Sequence, residues 1–379
     1  MKVNGEDFQT IWLDSTESII HIIDQTKLPH HFTTKPLHSL DEVINAIKIM
    51  EVRGAPLIGV TAAFGIAFAM KSNSSDDSLK DASSRLFQSR PTAVNLQWAL
   101  NRMNKELMPI TSEKRFEAAW SLCQTILDED IKTNQSIGKH GLDLIENNFN
   151  KKTLQILTHC NAGWLATVDY GTALSPLYYA HSKGLDLHVW VDETRPRNQG
   201  AHLTAWELGQ HKIPHTLISD NAGGHLMQKG EVDFVIVGAD RISMHGDVCN
   251  KIGTYLKAIA AFENNIPFYV AAPKSTIDTD ATKNFFDIPI ESRHEEEVLM
   301  MQGLNSNNEL TQEVISTFQD NRIRNIRTGN LGMSDNYNVG INQSIGEYLM
   351  CISDKGFLKQ GALYYLYELI KNEKHQCIT

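Results

Sequence analysis

Hydrophobic and polar positions change rhythm near residue 150. Before it, apolar residues recur mostly at three-to-four spacing, the mark of helices with one buried face. Ile19-Ile20-His21-Ile22-Ile23-Asp24 is the exception and predicts a strand in a small N-terminal sheet. Leu40, Val43, Ile44, Ile47 and Met50 predict a helix over 39–50, with Ser39 as N-cap and Glu42 completing a capping box. A helix over 54–70 is rich in small residues (Ala62, Ala63, Gly65, Ala67), which lets another backbone approach closely. Further helices are expected over 93–107, 112–130 and 140–147.

From residue 154 short apolar runs recur with helical segments between them. Strands are predicted at 154–158, 187–191, 216–218, 234–238 and 268–272, and helices at 164–183, 201–211 and 253–264. This alternation is the sequence form of a doubly wound α/β sheet. The expected architecture is a small, mostly helical N-terminal domain (1–150) followed by a Rossmann-like α/β domain (151–379). No tandem repeat is present. Residues 301–345 are polar, rich in Asn and Gln, and weakly patterned.

A length of 379 residues agrees with two domains. The net charge of −10 argues against a nucleic-acid partner, which calls for a basic face. Five cysteines (Cys123, Cys160, Cys249, Cys351, Cys377) are scattered with no C-x-x-C pair, which fits a reducing compartment and no zinc knuckle. The N-terminus lacks the apolar core of a secretory signal. The longest apolar stretch, Leu57 to Met70, is too short to span a bilayer. These features point to a cytoplasmic protein without membrane association.

In an open parallel sheet, ligands bind beyond the carboxyl ends of the strands. All five predicted strand ends carry polar, Gly-rich segments. Cys160 follows the first strand and Asp240 the fourth. A lone cysteine is ordinarily a buried packing residue. A reactive one is favoured by cations or a helix N-terminus, and Cys160 is expected to open the helix running toward Lys183. Asp192, Glu193 and Asp220 compete with Asp240 on position alone. Cys249 reads as a packing residue. For an anion, Arg53-Gly54-Ala55 stands before Pro56 at a helix start, where backbone N–H groups and a guanidinium make a phosphate site. Arg90 and Asn250-Lys251 offer further donors. There is no G-x-G-x-x-G and no Walker lysine, so neither a dinucleotide nor a nucleoside triphosphate is expected. No histidine spacing suits a metal.

Taken in order, several segments resemble the methylthioribose-1-phosphate isomerase family, in the superfamily shared with regulatory subunits of the translation initiation guanine-nucleotide exchange factor. They are Asp24 to Pro29, Val52-Arg53-Gly54-Ala55-Pro56, Arg90 to Asn95, Thr158-His159-Cys160-Asn161-Ala162-Gly163, Asp192 to Gln199, Val237 to Arg241, and Gly246 to Tyr255. The resemblance implies an aldose-to-ketose isomerase acting on a sugar 1-phosphate, without a cofactor and as a homodimer formed through the α/β domain. It places the chemistry on Cys160 and Asp240, and substrate contacts on Arg53, Gly54, Ala55, Arg90, Gln199, Asn250 and Lys251. The expected substrate is 5-methylthioribose 1-phosphate, of methionine salvage. A paralogous isomerase of 5-deoxyribose 1-phosphate or another ribose 1-phosphate, or a silent sugar-phosphate sensor, are the alternatives.

The expected mechanism has Asp240, kept protonated by an apolar crevice, open the ring while a Cys160 thiolate takes the C2 proton. A hydride shift from C2 to C1 is the competing route. The chain departs from the family pattern in two places. Asp220-Asn221-Ala222-Gly223-Gly224 replaces Asp-Asn-Met-Ala-Ala, a change expected to bear on the substituent at the sugar's 5-carbon. Val339 to Ser344 stands where Asn-Pro-Ala-Phe-Asp-Val-Thr-Pro is usual.

Overall fold

The computed structural model describes residues 1–14, 18–279, 288, 290, 292–304 and 310–314. Residues Met1–Glu291 form one compact unit, and Ser292–Thr379 a second. In the second, the described backbone is a short helix, Glu296–Leu299, and an antiparallel hairpin, Met300–Leu304 with Leu310–Val314. Most of the weakly patterned 301–345 region, including the departure at 339–344, lies outside the described residues.

After a two-residue hairpin, Lys2–Val3 with Glu6–Asp7, the first unit has a three-stranded antiparallel sheet: β1 (Ile11–Asp14), β2 (Ile19–Ile23) and β3 (Thr34–Leu37), with β2 central, its four isoleucines buried on either side of His21. Five helices follow: α1 (Leu40–Lys48), α2 (Ala55–Ser72), α3 (Asp76–Ser89), α4 (Val94–Leu107) and α5 (Ser112–Asn148). Ser39 caps α1, its Oγ accepting from Glu42 N–H at 3.3 Å. Glu42 reaches back one residue further than a capping box requires, to His38 N–H at 2.6 Å.

Helix α2 is apolar on every side and is the centre of the first core, with α1, α3, α4 and α5 packed around it. Among the described residues it alone is long and apolar enough to cross a membrane, and it is almost wholly buried in protein. Its small residues act as expected. A Cβ on Gly59 would stand 2.8 Å from the Asn95 carbonyl oxygen, so α4 lies against bare backbone there.

Two corrections concern this region. The helix α3 was not anticipated, because its polar sequence carries only Leu79, Ala82 and Leu86 inward. The separate helices expected at 112–130 and 140–147 are one helix, α5, of 37 residues. The intervening polar stretch stays helical because part of it is buried: Asn134 is fully enclosed, and its carbonyl accepts from Ser175 Oγ at 2.9 Å.

The second half is a five-stranded parallel sheet of β4 (Leu154–Thr158), β5 (Leu187–Asp192), β6 (His215–Ile218), β7 (Phe234–Val237) and β8 (Phe268–Val270). The order across the sheet is β8-β7-β4-β5-β6. Alternate residues serve opposite faces. Ile156, Phe234 and Ile236 join one core, with Leu177 and Leu208 of helices α6 (Ser175–Ser182) and α7 (Ala205–Gln210). Leu157, Val235 and Val237 join another, with Met227 and Ala261 of α8 (Ala222–Gln228) and α9 (Thr254–Glu263). Helices on both faces make this the doubly wound α/β fold that the alternation predicts. The helix expected over 164–183 is interrupted, however. A 3₁₀ turn at Trp164–Ala166 leads into a loop with Tyr170 and Gly171 at positive φ, and α6 begins only at Ser175.

Candidate active site

The chain builds β4, β5 and β6 outward in one direction, then returns to build β7 and β8 on the other side of β4. The β4 and β7 ends therefore flank the reversal of strand order, where open α/β sheets carry their ligand crevice. Cys160 lies two residues beyond β4 and Asp240 three beyond β7. Both line one pocket, together with Arg53, Gly54, Ala55 and Asn250. Sequence positions almost 200 apart thus meet, and six of the nine expected site residues share one cavity wall.

Helix α2 brings the first group. Gly54 is its N-cap at φ +97°, and no side chain caps the turn. A Cβ on Gly54 would lie 2.5 Å from Ala166 Cα, so only glycine fits both the angle and the contact. The uncapped N–H groups of the first turn present the positive end of a long helix to the pocket. Beside them, Arg53 is held in a fork: NH1 donates to Asn161 Oδ1 at 2.5 Å and NH2 to the Asn161 carbonyl at 3.0 Å.

Cys160 is buried, with φ +68°, and its backbone is pinned on both sides. Its N–H donates to Thr194 Oγ1 at 2.8 Å, and its carbonyl accepts from Thr204 Oγ1 at 2.7 Å. Burial pushes the thiol above its ordinary value, while the Arg53 and Lys251 cations pull it down. The expected helix N-terminus does not act on it, since no helix starts there.

Asn161 extends the support inward. Its Nδ2 donates to Glu207 Oε1 at 2.9 Å. Glu207 is fully buried on α7 and also accepts from Trp164 N–H, Leu165 N–H and the Tyr178 hydroxyl at 2.7–3.0 Å. Burial raises this carboxyl to about 7 against those hydrogen bonds.

Asp240 stands differently. It is exposed at the pocket rim rather than enclosed in an apolar crevice, because it leads into a two-residue antiparallel hairpin, Arg241–Ile242 with Val248–Cys249. Its N–H donates to the Cys249 carbonyl at 2.9 Å. Asn250 and Lys251 follow the hairpin. Lys251 lies close enough for its charge to act on the Cys160 thiol, although it is not part of the wall.

Gln199 and Arg90 are not in the wall either. Gln199 is buried at the start of the 200–204 turn, and its Oε1 has no hydrogen-bond partner among the described residues. Arg90 closes α3, in the turn that leads to α4. Residues 222–224 lie behind the site: a Cβ on Gly223 would meet Leu157 and Lys257. The departure from the family pattern there is not in the pocket wall. Sequence reasoning quoted His159 and Asn161 inside a motif without giving them a role, and it missed Glu207, because a glutamate on an amphipathic helix reads as a solvent-facing residue.

Comparison with known proteins shows the family. A family model described as "Initiation factor 2 subunit family" matches residues 51–339. The methylthioribose-1-phosphate isomerase of Gluconobacter oxydans is 53% identical over 314 residues, covering 82% of this chain and 85% of that protein. That of Rhodospirillum rubrum is 54% identical over 311 residues, 80% of each. The crystal structure of 5-methylthioribose 1-phosphate isomerase from Pyrococcus horikoshii matches with a TM-score of 0.68 at 40% identity, over 78% of this chain and 83% of that one. The chain belongs to the initiation factor 2 subunit family and, within it, to the methylthioribose-1-phosphate isomerases.

Proposed function

We propose that this chain converts 5-methylthioribose 1-phosphate to 5-methylthioribulose 1-phosphate, an aldose–ketose isomerisation of methionine salvage. The carrying observation is the meeting of Cys160 and Asp240 with an uncapped helix N-terminus and a forked arginine in one pocket at the strand-order reversal. The helix start and Arg53 bind the phosphate, with Lys251 as a further cation. Gln199, Asn250 and Arg90 are assigned to substrate contact. The helical layer of residues 1–150 supplies the anion site and the α/β layer beyond it supplies the chemistry.

A phosphate on the anomeric oxygen keeps the ring closed until the ring oxygen is protonated. The surroundings of the two reactive groups point to a division of labour opposite to the sequence expectation. The Cys160 thiol is buried, which favours its protonated form, and a bound phosphate offsets the cations that oppose this. Cys160 S–H therefore gives its proton to the ring oxygen as the C1–O bond breaks. Asp240 takes the C2 proton, leaving an enol phosphate. Asp240, exposed at the rim and exchanging its proton with solvent, returns a proton to C1, and the C2 hydroxyl proton passes to the Cys160 sulfur as the ketone forms. Both groups end as they began.

The test is turnover of methylthioribose 1-phosphate and 5-deoxyribose 1-phosphate by the wild type, Cys160→Ser and Asp240→Asn. We expect the methylthio sugar to be preferred, and each variant to lose about 100-fold or more. Activity retained in either variant removes that residue from the mechanism. Deuterium from the solvent should appear at C1; complete retention of substrate hydrogen would replace proton transfer with a hydride shift. With Cys160 as acid, kcat/KM should fall at alkaline pH as the thiol loses its proton, whereas a thiolate base requires it to rise there.

The reading extends to assembly and location. Helix α9 exposes Tyr255, Leu256, Ile259 and Phe262, with Ile252 beside them. An apolar face of this kind suits a homodimer formed through the α/β half. Sedimentation should show a dimer that Phe262→Asp weakens. Three described cysteines are free thiols, which suits a reducing cytoplasm.

A further inference from the structure

Behind Cys160, four charged side chains from four elements converge. His159 follows β4, Asp192 ends β5, Asp220 follows β6, and Lys257 rises from α9. His159 Nδ1 lies 2.7 Å from Asp192 Oδ2 and 4.0 Å from Asp220 Oδ1. Lys257 Nζ lies 3.1 Å from the same Asp192 Oδ2 and donates to the Asp220 carbonyl oxygen at 2.5 Å. The His159 and Asp192 side chains are fully buried, and that of Lys257 nearly so. His159 Nε2 lies 2.7 Å from the Ile252 carbonyl oxygen.

His159, Asp192 and Asp220 stand close enough together to suggest a metal site. The hydrogens already present argue otherwise, because the Lys257 ammonium occupies Asp192 Oδ2. The Ile252 carbonyl can only accept, so Nε2 carries a hydrogen. Asp192 Oδ2 already accepts from an ammonium and behaves as a carboxylate oxygen, so Nδ1 carries one as well. Burial raises the Asp192 carboxyl, and its contacts with His159 and Lys257 oppose that rise. With His159 charged, two cations balance two carboxylates. A neutral imidazole would leave a net negative charge in the interior.

We infer that His159 is held as an imidazolium and is a positioning residue, latching the Asn250–Gly253 loop onto the strand end that bears Cys160. Ile252 is the neighbour of Lys251, and His159 is the neighbour of Cys160. Gly253 completes the latch: at φ +103°, a Cβ there would lie 2.7 Å from His159 Cε1. The same cluster fixes the Cys160 backbone. Asp220 accepts from Thr194 N–H at 2.7 Å and Arg195 N–H at 2.8 Å, and Thr194 Oγ1 accepts from Cys160 N–H. The functional part of this inference rests on the isomerase reading of Cys160 and Lys251.

The test begins with long-range ¹H–¹⁵N correlation of the histidine rings in the full-length protein, with His159 assigned by its loss in His159→Gln. Both ring nitrogens should carry hydrogens at pH 7.5; a single N–H overturns the imidazolium. His159→Gln and Gly253→Ala should each lower kcat/KM for methylthioribose 1-phosphate about 10- to 100-fold, with unchanged circular dichroism. Because they break one latch, the double variant should be little worse than the worse single one. Unchanged activity or fully additive losses overturn the positioning role. If His159→Gln does not fold, Gly253→Ala and the wild-type spectrum decide the matter. A wild type that turns over no sugar phosphate defeats the isomerase reading, while the spectrum still decides the charge on His159.

Discussion

The two walls of the pocket are built in opposite ways. Cys160 sits on the buried end of a central strand, with its amide and carbonyl both held by threonine hydroxyls and its neighbour Asn161 anchored to Glu207. Asp240 sits exposed at the root of a two-residue hairpin whose tip, Met244 to Gly246, is open to solvent. The contrast assigns precision to the first wall and access to the second. On the proposed function, a substrate would enter past Asp240 and be aligned against Arg53 and Cys160. Local stability should follow the same division, since backbone hydrogen bonds open easily where few buried apolar contacts hold them.

The largest effect should come from the anchor of the rigid wall. Glu207→Ala removes the acceptor for four buried donors: Asn161 Nδ2, Trp164 N–H, Leu165 N–H and the Tyr178 hydroxyl. Leaving such a network unpaired costs about 3–5 kcal/mol. Urea unfolding at pH 8 should show it, and a loss below 1 kcal/mol would mean that the wall is not held this way.

Glu207 also imposes a pH dependence of similar size. Its carboxyl titrates at about 7 in the folded chain, against an ordinary 4.5. Between these values the native state keeps a proton that the unfolded chain has released, so stability falls as pH rises from about 4.5 to 7 and is level above. The span amounts to roughly 3 kcal/mol at 1.36 kcal/mol per unit. Asp130, half-buried and also raised to about 7 by desolvation, adds a slope of the same sign. The difference in stability between the wild type and Glu207→Gln should therefore change with pH across that window. A constant difference would place the Glu207 carboxyl at its ordinary value.

Much of this site was legible in the sequence because it depends on strand ends. Five apolar runs located the five strands, and the polar segments after them located Cys160 and Asp240. What was not legible depends on burial across long distances. Whether Asp240 is enclosed depends on what packs over the hairpin, which its own run of residues does not record. The periodic apolar residues of 164–183 pack inward from a loop, where Tyr170 and Gly171 take positive φ and break the helix that their spacing suggests. His159 and Lys257 are polar residues drawn inside by each other's partners, and no local pattern marks such a cluster.

A smaller effect, on binding, is expected at the junction of the two walls. Arg53→Ala removes a charge-assisted donor from the proposed phosphate site, worth about 1.5–3 kcal/mol. It should raise KM about 10- to 100-fold with a lesser change in kcat. The reverse split, with KM kept and kcat lost, would place Arg53 at the reacting carbons instead of the phosphate.

The smallest stability effect belongs to the hairpin. Asp247 Oδ2 accepts from Ser243 Oγ at 3.0 Å, and Asp247 N–H donates to Ser243 Oγ at 3.1 Å, closing the turn that carries Asp240. Asp247→Ala removes the first of these in a partly exposed place, so global stability should fall by no more than about 1 kcal/mol. Turnover should nevertheless drop several-fold, because the hairpin sets where Asp240 stands, and amide exchange should quicken in residues 241–249 but not in 154–160. Faster exchange in both segments, or a stability loss comparable to that of Glu207→Ala, would show that the hairpin is part of the rigid wall and that the contrast between the two sides does not hold.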